Sequence, residues 1–264
     1  MRAAPDVVSD PIAIGPDGAR RAVTRVWVPE VPVALEFNGL SYAVMMATPQ
    51  DLEDFAIGFA LNEGLAAAPA EVTDIAVAEV KLGWIVRAKL IGLGIEKLTE
   101  RVRSRVAESS CGLCGIENLA EVARPLPLVA THTAIEPAAI FVALSALRDL
   151  QPLGRTNDAA HAAAWVSPDG AIGLVREDVG RHNAVDKLTG AMARAGRPLA
   201  PGFVLSTARC SFEIVEKAVR AGASTLVTVS LPTSLAVERA KAAGLSLWVL
   251  ARDDEVTLVN DASA

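Results

Sequence analysis

The sequence is poor in cysteine and histidine and lacks a long apolar run. Its three cysteines are an odd number, and two of them are separated by only two residues, which favours reduced, reactive or metal-binding thiols over a secreted disulfide framework. The longest apolar region, residues 126–147, is interrupted by His132, Glu136 and prolines, so it lacks the ~20 uninterrupted apolar residues of a membrane span. Residues 1–10 have no apolar stretch of the kind found in a secretory signal. We therefore expect a cytoplasmic protein that does not bind membranes.

The chain also lacks an excess of positive charge. Its formal net charge is −6, so it has no broad electrostatic attraction for nucleic acid, although local arginines can still hold a nucleotide. Hydrophobic residues make up 52% of the chain and charged residues 21%. This balance is typical of a globular protein, and 264 residues are enough to bury a core without disulfide or metal staples.

The first part of the chain predicts a β-hairpin followed by further short elements. Residues 31–37 and 40–48 are rich in β-forming side chains and are separated by Asn38-Gly39, which favours a tight hairpin turn. The other expected elements are a helix that starts at Thr48 as N-cap and stops at Gly64, strands at 72–80 and 84–90, and a charged helix at 95–106. We predict a small α+β domain at residues 23–108, after a flexible segment at residues 1–22.

After the cysteine segment the pattern becomes an alternation of strands and helices. We expect strands near Ile172, Phe203, Leu226 and Leu247, and helices at 183–195, 211–221 and 234–243. Alternation of this kind predicts α/β layers with at least partly parallel strands. Asp169-Gly170 predicts one antiparallel hairpin, which would make the sheet mixed. The second domain is predicted at residues 109–264.

The loops between these strands and helices are rich in polar residues. They lie at residues 176–183, 206–211, 230–234 and 251–254. In an open α/β sheet such loops follow the carboxyl ends of the strands, where helix N-termini offer free N–H groups to anions. A phosphorylated ligand would fit there. Ser, Thr and Asn at these positions are equally common as helix caps, and the two interpretations are compatible.

The thiol pair stands in the sequence Ser110-Cys111-Gly112-Leu113-Cys114-Gly115, where the glycines let the backbone turn sharply. Two thiols at this spacing serve as half of a zinc site, as a dithiol exchange pair or as a persulfide carrier. Zinc is the weaker hypothesis because there is no second close pair, and the further candidate ligands are scattered: Cys210, His132, His161 and His182. The spacing leaves dithiol exchange and persulfide carriage both open.

Among the histidines, His182 has the more functional surroundings. It stands between a strand end and a helix start, close to Glu177, Asp178 and Arg181, where an imidazole can polarise a ligand or shuttle a proton. A structural role for His182 is equally compatible with the sequence. For His161 and His132 a structural role is favoured.

Zinc-dependent deamination can be tested against the sequence directly. Such enzymes need His-x-Glu followed later by Pro-Cys-x-x-Cys. His161 is followed by Ala162 and Ala163, so the glutamate that acts as general acid and base is missing. The cysteine pair also precedes this histidine and has no proline before it. Hydrolytic deamination is therefore disfavoured.

The segment at residues 176–187, which we call the hallmark segment, reads Arg-Glu-Asp-Val-Gly-Arg-His-Asn-Ala-Val-Asp-Lys. It resembles the characteristic sequence of the FdhD/NarQ family, the formate dehydrogenase accessory sulfurtransferases. Other blocks resemble the same family in the same order, and they lie at residues 46–49, 56–59, 62–64, 109–115, 209–218 and 232–238. The resemblance extends over about residues 31–259 and is far more specific than a single cysteine pair.

The resemblance implies an α/β fold, with a cytidine-deaminase-like three-layer sandwich, a mixed sheet and a smaller α+β domain. It also implies a sulfurtransferase with a cysteine persulfide intermediate, an accessory protein rather than a metabolic enzyme. Such a protein takes sulfur from a cysteine desulfurase and transfers it to the molybdenum cofactor, Mo-bis(molybdopterin guanine dinucleotide), as required for formate dehydrogenase activity. The implied partners are the cysteine desulfurase, the catalytic subunit of formate dehydrogenase and a second copy of the chain in a homodimer. The alternative is a cofactor-binding chaperone of formate dehydrogenase that transfers no sulfur.

The resemblance also assigns roles to individual residues. It implies that Cys111 carries the persulfide and that Cys114 is an assisting or second sulfur-bearing thiol, with no permanently bound metal. The guanine-nucleotide moiety of the cofactor is expected to contact the segment Leu250, Ala251, Arg252, Asp253, Asp254 and Glu255, together with Arg181, His182 and Arg209 from the strand-end loops. Because residues 253–255 are acidic, we expect backbone N–H groups with Arg209 or Arg252 to hold the phosphates.

Overall fold

The computed structural model describes residues 7–105, 124–156 and 159–263. The cysteine loop, with Cys111 and Cys114, lies outside the described residues. Near the N-terminus the chain forms two ribbons, in which β1 (Val7–Ser9) pairs with β4 (Arg25–Trp27) and β2 (Ile12–Ile14) pairs with β3 (Arg20–Ala22). Three of these strands, β1, β2 and β3, lie at residues 1–22, the segment expected to be flexible. The predicted domain limits, 23–108 and 109–264, stay predictions.

A four-stranded sheet forms the smaller unit. Its strands are β5 (Val31–Phe37), β6 (Leu40–Ala47), β7 (Val72–Val80) and β8 (Gly83–Leu90), in the order β6-β5-β8-β7. Between β5 and β6, Asn38 and Gly39 have φ angles of 52° and 81°, the left-handed conformation that a tight hairpin turn requires. The predicted hairpin is confirmed. Helix α1 (Leu52–Asn62) packs on this sheet, a 3-10 turn (Pro69–Glu71) precedes β7, and α2 (Ile95–Arg105) follows β8.

The start of α1 differs from the prediction. Asp51 is the N-cap, with a φ of 52°, and the helix begins at Leu52, so the prediction that Thr48 caps it is wrong. Thr48 is fully buried, and its hydroxyl accepts a hydrogen bond from the Val179 amide at 3.1 Å. The Thr48 hydroxyl therefore binds the larger unit instead of capping α1. Three residues, 49–51, separate Thr48 from the first residue of the helix.

A six-stranded sheet forms the larger unit, in the order β10-β9-β11-β12-β13-β14. The strands are β9 (His161–Val166), β10 (Ile172–Asp178), β11 (Phe203–Ser206), β12 (Thr225–Thr228), β13 (Ser246–Val249) and β14 (Thr257–Asn260). Strand β12 is parallel to both of its neighbours, whereas β9 is antiparallel to β10 and β11, and β14 is antiparallel to β13. The expected mixed sheet, with one antiparallel hairpin at Asp169-Gly170, is confirmed.

Helices cover both faces of the larger sheet. They are α3 (Pro137–Leu147), a 3-10 turn (Arg148–Leu150), α4 (Pro152–Thr156), α5 (Arg181–Arg194), α6 (Phe212–Arg220) and α7 (Ser234–Ala243). Buried residues of α5, α6 and α7 form one core cluster with Ala163, Val204 and Leu226 of the sheet. Residues of α3 form the core on the opposite face, with Phe203 and Leu205. The α/β layers are therefore confirmed. None of the described helices is long and apolar enough to cross a membrane.

The two units meet where α1 crosses α5. A Cβ placed on Gly58 would lie 1.7 Å from the carbonyl oxygen of Asp186, and one placed on Gly190 would lie 1.8 Å from the carbonyl oxygen of Asp54. Both distances are far shorter than van der Waals contact, so the helix backbones touch directly. The crossing therefore requires glycine at both positions.

Replacing Gly190 with alanine should destabilise the protein strongly. The added methyl group meets the backbone of α1, so the helices must separate, and we expect the free energy of unfolding to fall by about 3 kcal/mol. Chemical denaturation with urea, followed by circular dichroism, measures this change. Gly94→Ala is the matched control, because a Cβ at Gly94 meets no atom within 4 Å. Equal unfolding midpoints for the two variants would contradict the crossing geometry.

Candidate functional site

Four strand ends lie along one edge of the larger sheet. Strands β10, β11, β12 and β13 run in the same direction, and β9 runs against them. The carboxyl ends of the four strands and the first residue of β9, His161, therefore lie at the same edge, which we call the strand-end edge. Helices α5, α6 and α7 begin there, so their free N–H groups face that side of the molecule.

Hydrogen bonds join the neighbouring loops of the strand-end edge. The Thr207 amide donates to the Ala162 carbonyl at 3.0 Å, and the Ala251 amide donates to the Thr228 carbonyl at 3.1 Å. Cys210 forms an isolated parallel bridge with Pro232. Neighbouring strand-end loops are thus joined to one another along this edge, which is where ligands bind in open α/β sheets.

Three of the predicted site residues lie around His161. Arg181 and His182 open α5, and Arg209 follows β11, while His161 is in register with Asp178 at the end of β10. Burial is the main cause that lowers the pKa of His161, and the charges of Arg181, His182 and Arg209 lower it further, whereas Asp178 raises it. His161 therefore belongs to this cluster, although the sequence analysis favoured a structural role for it.

Glu213 is a second residue that the sequence analysis missed. Its Oε2 atom lies 3.0 Å from Nε2 of His182. The hydrogen bond from His182 is the main cause that lowers the pKa of Glu213, so its carboxylate is ionised and holds the imidazole. The signal that could have identified Glu213 is its position in the first turn of α6, whose N-terminus lies beside that of α5 at this edge.

The predicted segment 250–255 lies at the far end of the strand-end edge. Leu250 turns the chain with a φ of 51°, and the side chain of Ala251 is 2% exposed in the core, so Ala251 offers only its backbone to a ligand. Arg252, Asp253, Asp254 and Glu255 are exposed, and the Arg252 amide donates to the Glu255 carbonyl at 2.9 Å. Between the ends of β10 and β13 lie four strand spacings, or about 19 Å. The structure therefore places the predicted cofactor-binding residues in two groups along one edge, whereas the predicted thiols lie outside the described residues.

Most charged residues of the hallmark segment are buried and bind each other or the smaller unit. Lys187 and Asp178 are both fully buried, with Nζ and Oδ2 2.6 Å apart. Asp178 also accepts hydrogen bonds from the amides of Thr48 and Gly180 and from the side chain of Asn183. Lys187 donates to the Thr48 carbonyl at 2.9 Å. These groups join β10 and α5 to the smaller unit, and they are unavailable to a ligand.

A second buried ion pair is formed by Asp186, the residue that precedes Lys187 on α5. Asp186 accepts hydrogen bonds from Lys217 at 2.9 Å and 3.0 Å and from Asn62 at 2.7 Å. Arg176, at the start of the hallmark segment, donates two hydrogen bonds to the buried carboxylate of Asp54 on α1. Of the hallmark segment's charged or imidazole side chains, Arg181 and His182 are the two that are neither buried nor bound to the smaller unit. The hallmark segment is therefore largely structural.

Cys210 is unsuited to sulfur chemistry. Its side chain is fully buried, and burial raises the pKa of its thiol to about 11, although a hydrogen bond with Thr228 opposes this. At neutral pH the thiolate, which is the nucleophilic form, is therefore scarcely populated. Within residues 7–105, 124–156 and 159–263, no cluster of three or more His, Cys, Asp or Glu side chains is arranged to hold a metal ion.

A cleft of about 770 Å³ lies at the opposite edge of the sheet. It is lined by apolar residues such as Leu61, Met192 and Leu199, and by Arg197 and Arg220. Residues 196–199 precede β11, and residues 220 and 221 precede β12, so the cleft lies at the amino ends of these strands. None of the described residues that line the cleft is a predicted site residue.

Comparisons of this chain with a family model, with curated relatives and with a solved structure agree with one another. The family model described as the FdhD/NarQ family matches residues 28–263. Sulfur carrier protein FdhD from Variovorax paradoxus is 45% identical over 235 residues, 89% of this chain and 84% of that protein. The protein of the same name from Cupriavidus necator is 46% identical over 83% of this chain and 76% of its own length. The crystal structure of a proposed formate dehydrogenase accessory protein from Desulfotalea psychrophila has a TM-score of 0.76 and 23% identity, with 97% of each chain covered, which shows a shared fold.

Removing the charge of Asp178 should destabilise the fold far more than removing an exposed carboxylate. Asp178→Asn leaves the ammonium of Lys187 buried without its counterion, and we expect a loss of about 3–5 kcal/mol in the free energy of unfolding. The control is Asp74→Asn, since Asp74 pairs with Lys89 on the surface, where both side chains are more than half exposed. There we expect a loss of at most about 1 kcal/mol. Urea denaturation of both variants tests this, and similar losses would show that the buried pair is not structural.

Proposed function

The chain belongs to the FdhD/NarQ family, and from this membership we propose that it is a cytoplasmic sulfur carrier that serves the maturation of formate dehydrogenase. The observation that carries the proposal is the family match over residues 28–263, a range that spans the Cys111 and Cys114 positions. Relatives at 41–46% identity are named sulfur carrier protein FdhD. The burial of Cys210 supports a carrier role for Cys111 and Cys114, because a fully buried thiol is poorly accessible to a sulfur donor.

The proposed chemistry is the transfer of one sulfane sulfur atom. The thiolate of Cys111 attacks the outer sulfur of a cysteine persulfide on a cysteine desulfurase. A new S–S bond forms on Cys111, the S–S bond of the donor breaks, and the donor cysteine leaves as a thiolate. No net oxidation or reduction takes place. Cys114 is the assisting or second sulfur-bearing thiol.

The proposed acceptor is Mo-bis(molybdopterin guanine dinucleotide), which the protein binds as cargo through its guanine-nucleotide moiety. The strand-end edge offers two groups of contacts, Arg181, His182 and Arg209 at one end and residues 250–255 at the other. Guanidinium groups bind phosphate oxygens in pairs of hydrogen bonds, and helix N-termini add N–H donors.

Sulfur loading tests the carrier role. We expect the reduced protein, incubated with a cysteine desulfurase and cysteine, to gain the mass of one sulfur atom on a peptide that contains Cys111. Mass spectrometry of the intact protein and of its peptides measures the gain. Cys111→Ala should lose the modification on this peptide.

Cys210→Ala is the matched control for sulfur loading. It removes a thiol from the core and leaves the Cys111 position unchanged, so uptake should equal that of the wild type. Equal uptake by the wild type and Cys111→Ala would refute the assignment of Cys111.

Nucleotide binding tests the strand-end edge separately. Guanosine diphosphate should bind the full-length protein, and Arg209→Gln should weaken binding about tenfold through the loss of a charge-assisted hydrogen bond. Isothermal titration calorimetry measures both affinities. Arg87→Gln is the control, because Arg87 pairs with Glu36 on the smaller sheet. If Arg209→Gln and Arg87→Gln both bind as the wild type does, Arg209 has no part in the site.

The alternative role is a chaperone that binds the cofactor or formate dehydrogenase without sulfur transfer. The double variant Cys111→Ala, Cys114→Ala distinguishes the two roles in cells that lack their own copy of this protein. A sulfur carrier loses the ability to support formate dehydrogenase activity when both thiols are removed. Full activity with the double variant would favour the chaperone.

A further inference from the structure

We infer that His161 is a ligand-binding residue of the strand-end edge and takes up a proton when a diphosphate binds beside Arg181 and Arg209. This inference rests on the proposed nucleotide binding and adds to it a residue and a pH dependence. The chemical class of the ligand is a phosphate or diphosphate anion. His161 thereby makes cargo binding tighter at lower pH.

The fold fixes the position of His161. It is the first residue of β9, and its pairing partner is Asp178, the last residue of β10. The Ala162 amide donates to the Thr207 hydroxyl at 2.8 Å, which holds the loop that carries Arg209 against the start of β9. Because side chains alternate along a strand, His161 lies on the same sheet face as Ala163, which packs among residues of α5 and α6. The imidazole therefore lies on the face where these two helices begin.

The described charges around His161 leave an excess of positive charge. On β10, the Asp178 carboxylate is neutralised by Lys187. On α5, His182 is held by Glu213 of α6. Arg181 on α5 and Arg209 in the loop after β11 form no ion pair within the described part of the chain, although the charge of Arg181 contributes to lowering the pKa of Glu213. An anion at this position would therefore meet two guanidinium groups that form no ion pair with the described residues.

Two buried polar atoms of the same edge have neither a hydrogen-bond partner nor an ion-pair partner among the described residues, whereas the buried Nε2 of His182 lies 3.0 Å from Glu213. They are Nε of Arg181 and Oγ of Ser211. Ser211 is the N-cap of α6, yet its hydroxyl does not cap the helix, whereas Thr233 caps α7 through the Ala236 amide at 3.3 Å. Buried polar groups are nearly always satisfied in native proteins. An anion that accepts from both groups would satisfy them, and its charge would favour protonated His161.

The direction of the titration follows from these neighbours. Burial and the nearby positive charges lower the pKa of His161 in the free protein. A bound dianion offsets the positive charges around His161 and so raises the pKa of its imidazole. Between the two pKa values, binding is coupled to proton uptake, so the affinity falls as the pH rises. The slope disappears once the pH is below both values, because His161 is then already protonated.

The test is calorimetric titration of guanosine diphosphate, and of inorganic pyrophosphate, into the full-length protein between about pH 5.5 and about pH 8. Buffers with different ionisation enthalpies report the number of protons taken up. The ligand phosphates titrate in the same range, so the decisive quantity is the difference between wild type and His161→Asn. We expect the wild-type affinity to change by about tenfold more across this range than that of the variant. His132→Asn is the matched control, because His132 is exposed and lies near Gly244, at the amino end of β13.

A second measurement avoids the variant altogether. In the wild type, the NMR titration of the His161 ring should move to higher pH when guanosine diphosphate is bound. Identical pH dependence and proton uptake in wild type and His161→Asn, with no movement of the ring titration, would overturn the inference while nucleotide binding still stands. If the wild type binds neither ligand at any pH, the proposed nucleotide site itself fails.

Discussion

The direct backbone contact between α1 and α5 is the constraint on which the rest of the structure depends. Two helices can approach this closely only where both lack side chains, and Gly58 and Gly190 supply that condition. The close approach also buries the carboxylates of Asp54 and Asp186, which α1 and α5 bring into the contact. A buried carboxylate is tolerable only with a partner, so Arg176 and Lys217 become necessary. The close contact between α1 and α5 thus requires both the glycines and the buried ion pairs.

The same contact positions the strand-end edge. Lys187 binds both Asp178 at the end of β10 and the backbone of Thr48, just before α1. Asp178 in turn holds the Gly180 amide at 2.7 Å, one residue before α5 begins. The first turn of α5, with Arg181 and His182, is therefore fixed relative to the sheet by groups that never meet a ligand. Rigid support of this kind is what a binding site needs to keep its contacts in place.

The sequence predicts local structure better than it predicts the roles of charged residues. Asn38-Gly39 specifies its hairpin because the turn requires left-handed backbone at both positions, a condition that is readable from two residues. The prediction that Thr48 is an N-cap fails because it considers only nearby residues. The hydroxyl of Thr48 instead binds Val179, which is 131 positions away. The surroundings of His161 are hidden from the sequence for the same reason. Its neighbours Arg181 and Arg209 become neighbours only when β9 inserts between β10 and β11.

The hallmark segment shows why a characteristic sequence need not be a list of ligand contacts. A buried salt bridge loses several kcal/mol when one partner is removed, so residues such as Lys187 and Asp178 cannot vary independently, whatever the protein binds. Arg181 and His182 are less constrained, since the described residues give Arg181 no ion pair, and the partner of His182, Glu213, is itself partly exposed. Within this segment, the lack of a buried partner is therefore a better guide to ligand binding than the presence of a charged side chain. By that criterion the centre of the segment is the part that we propose binds a ligand, and the charged residues on either side hold it at the edge of the sheet.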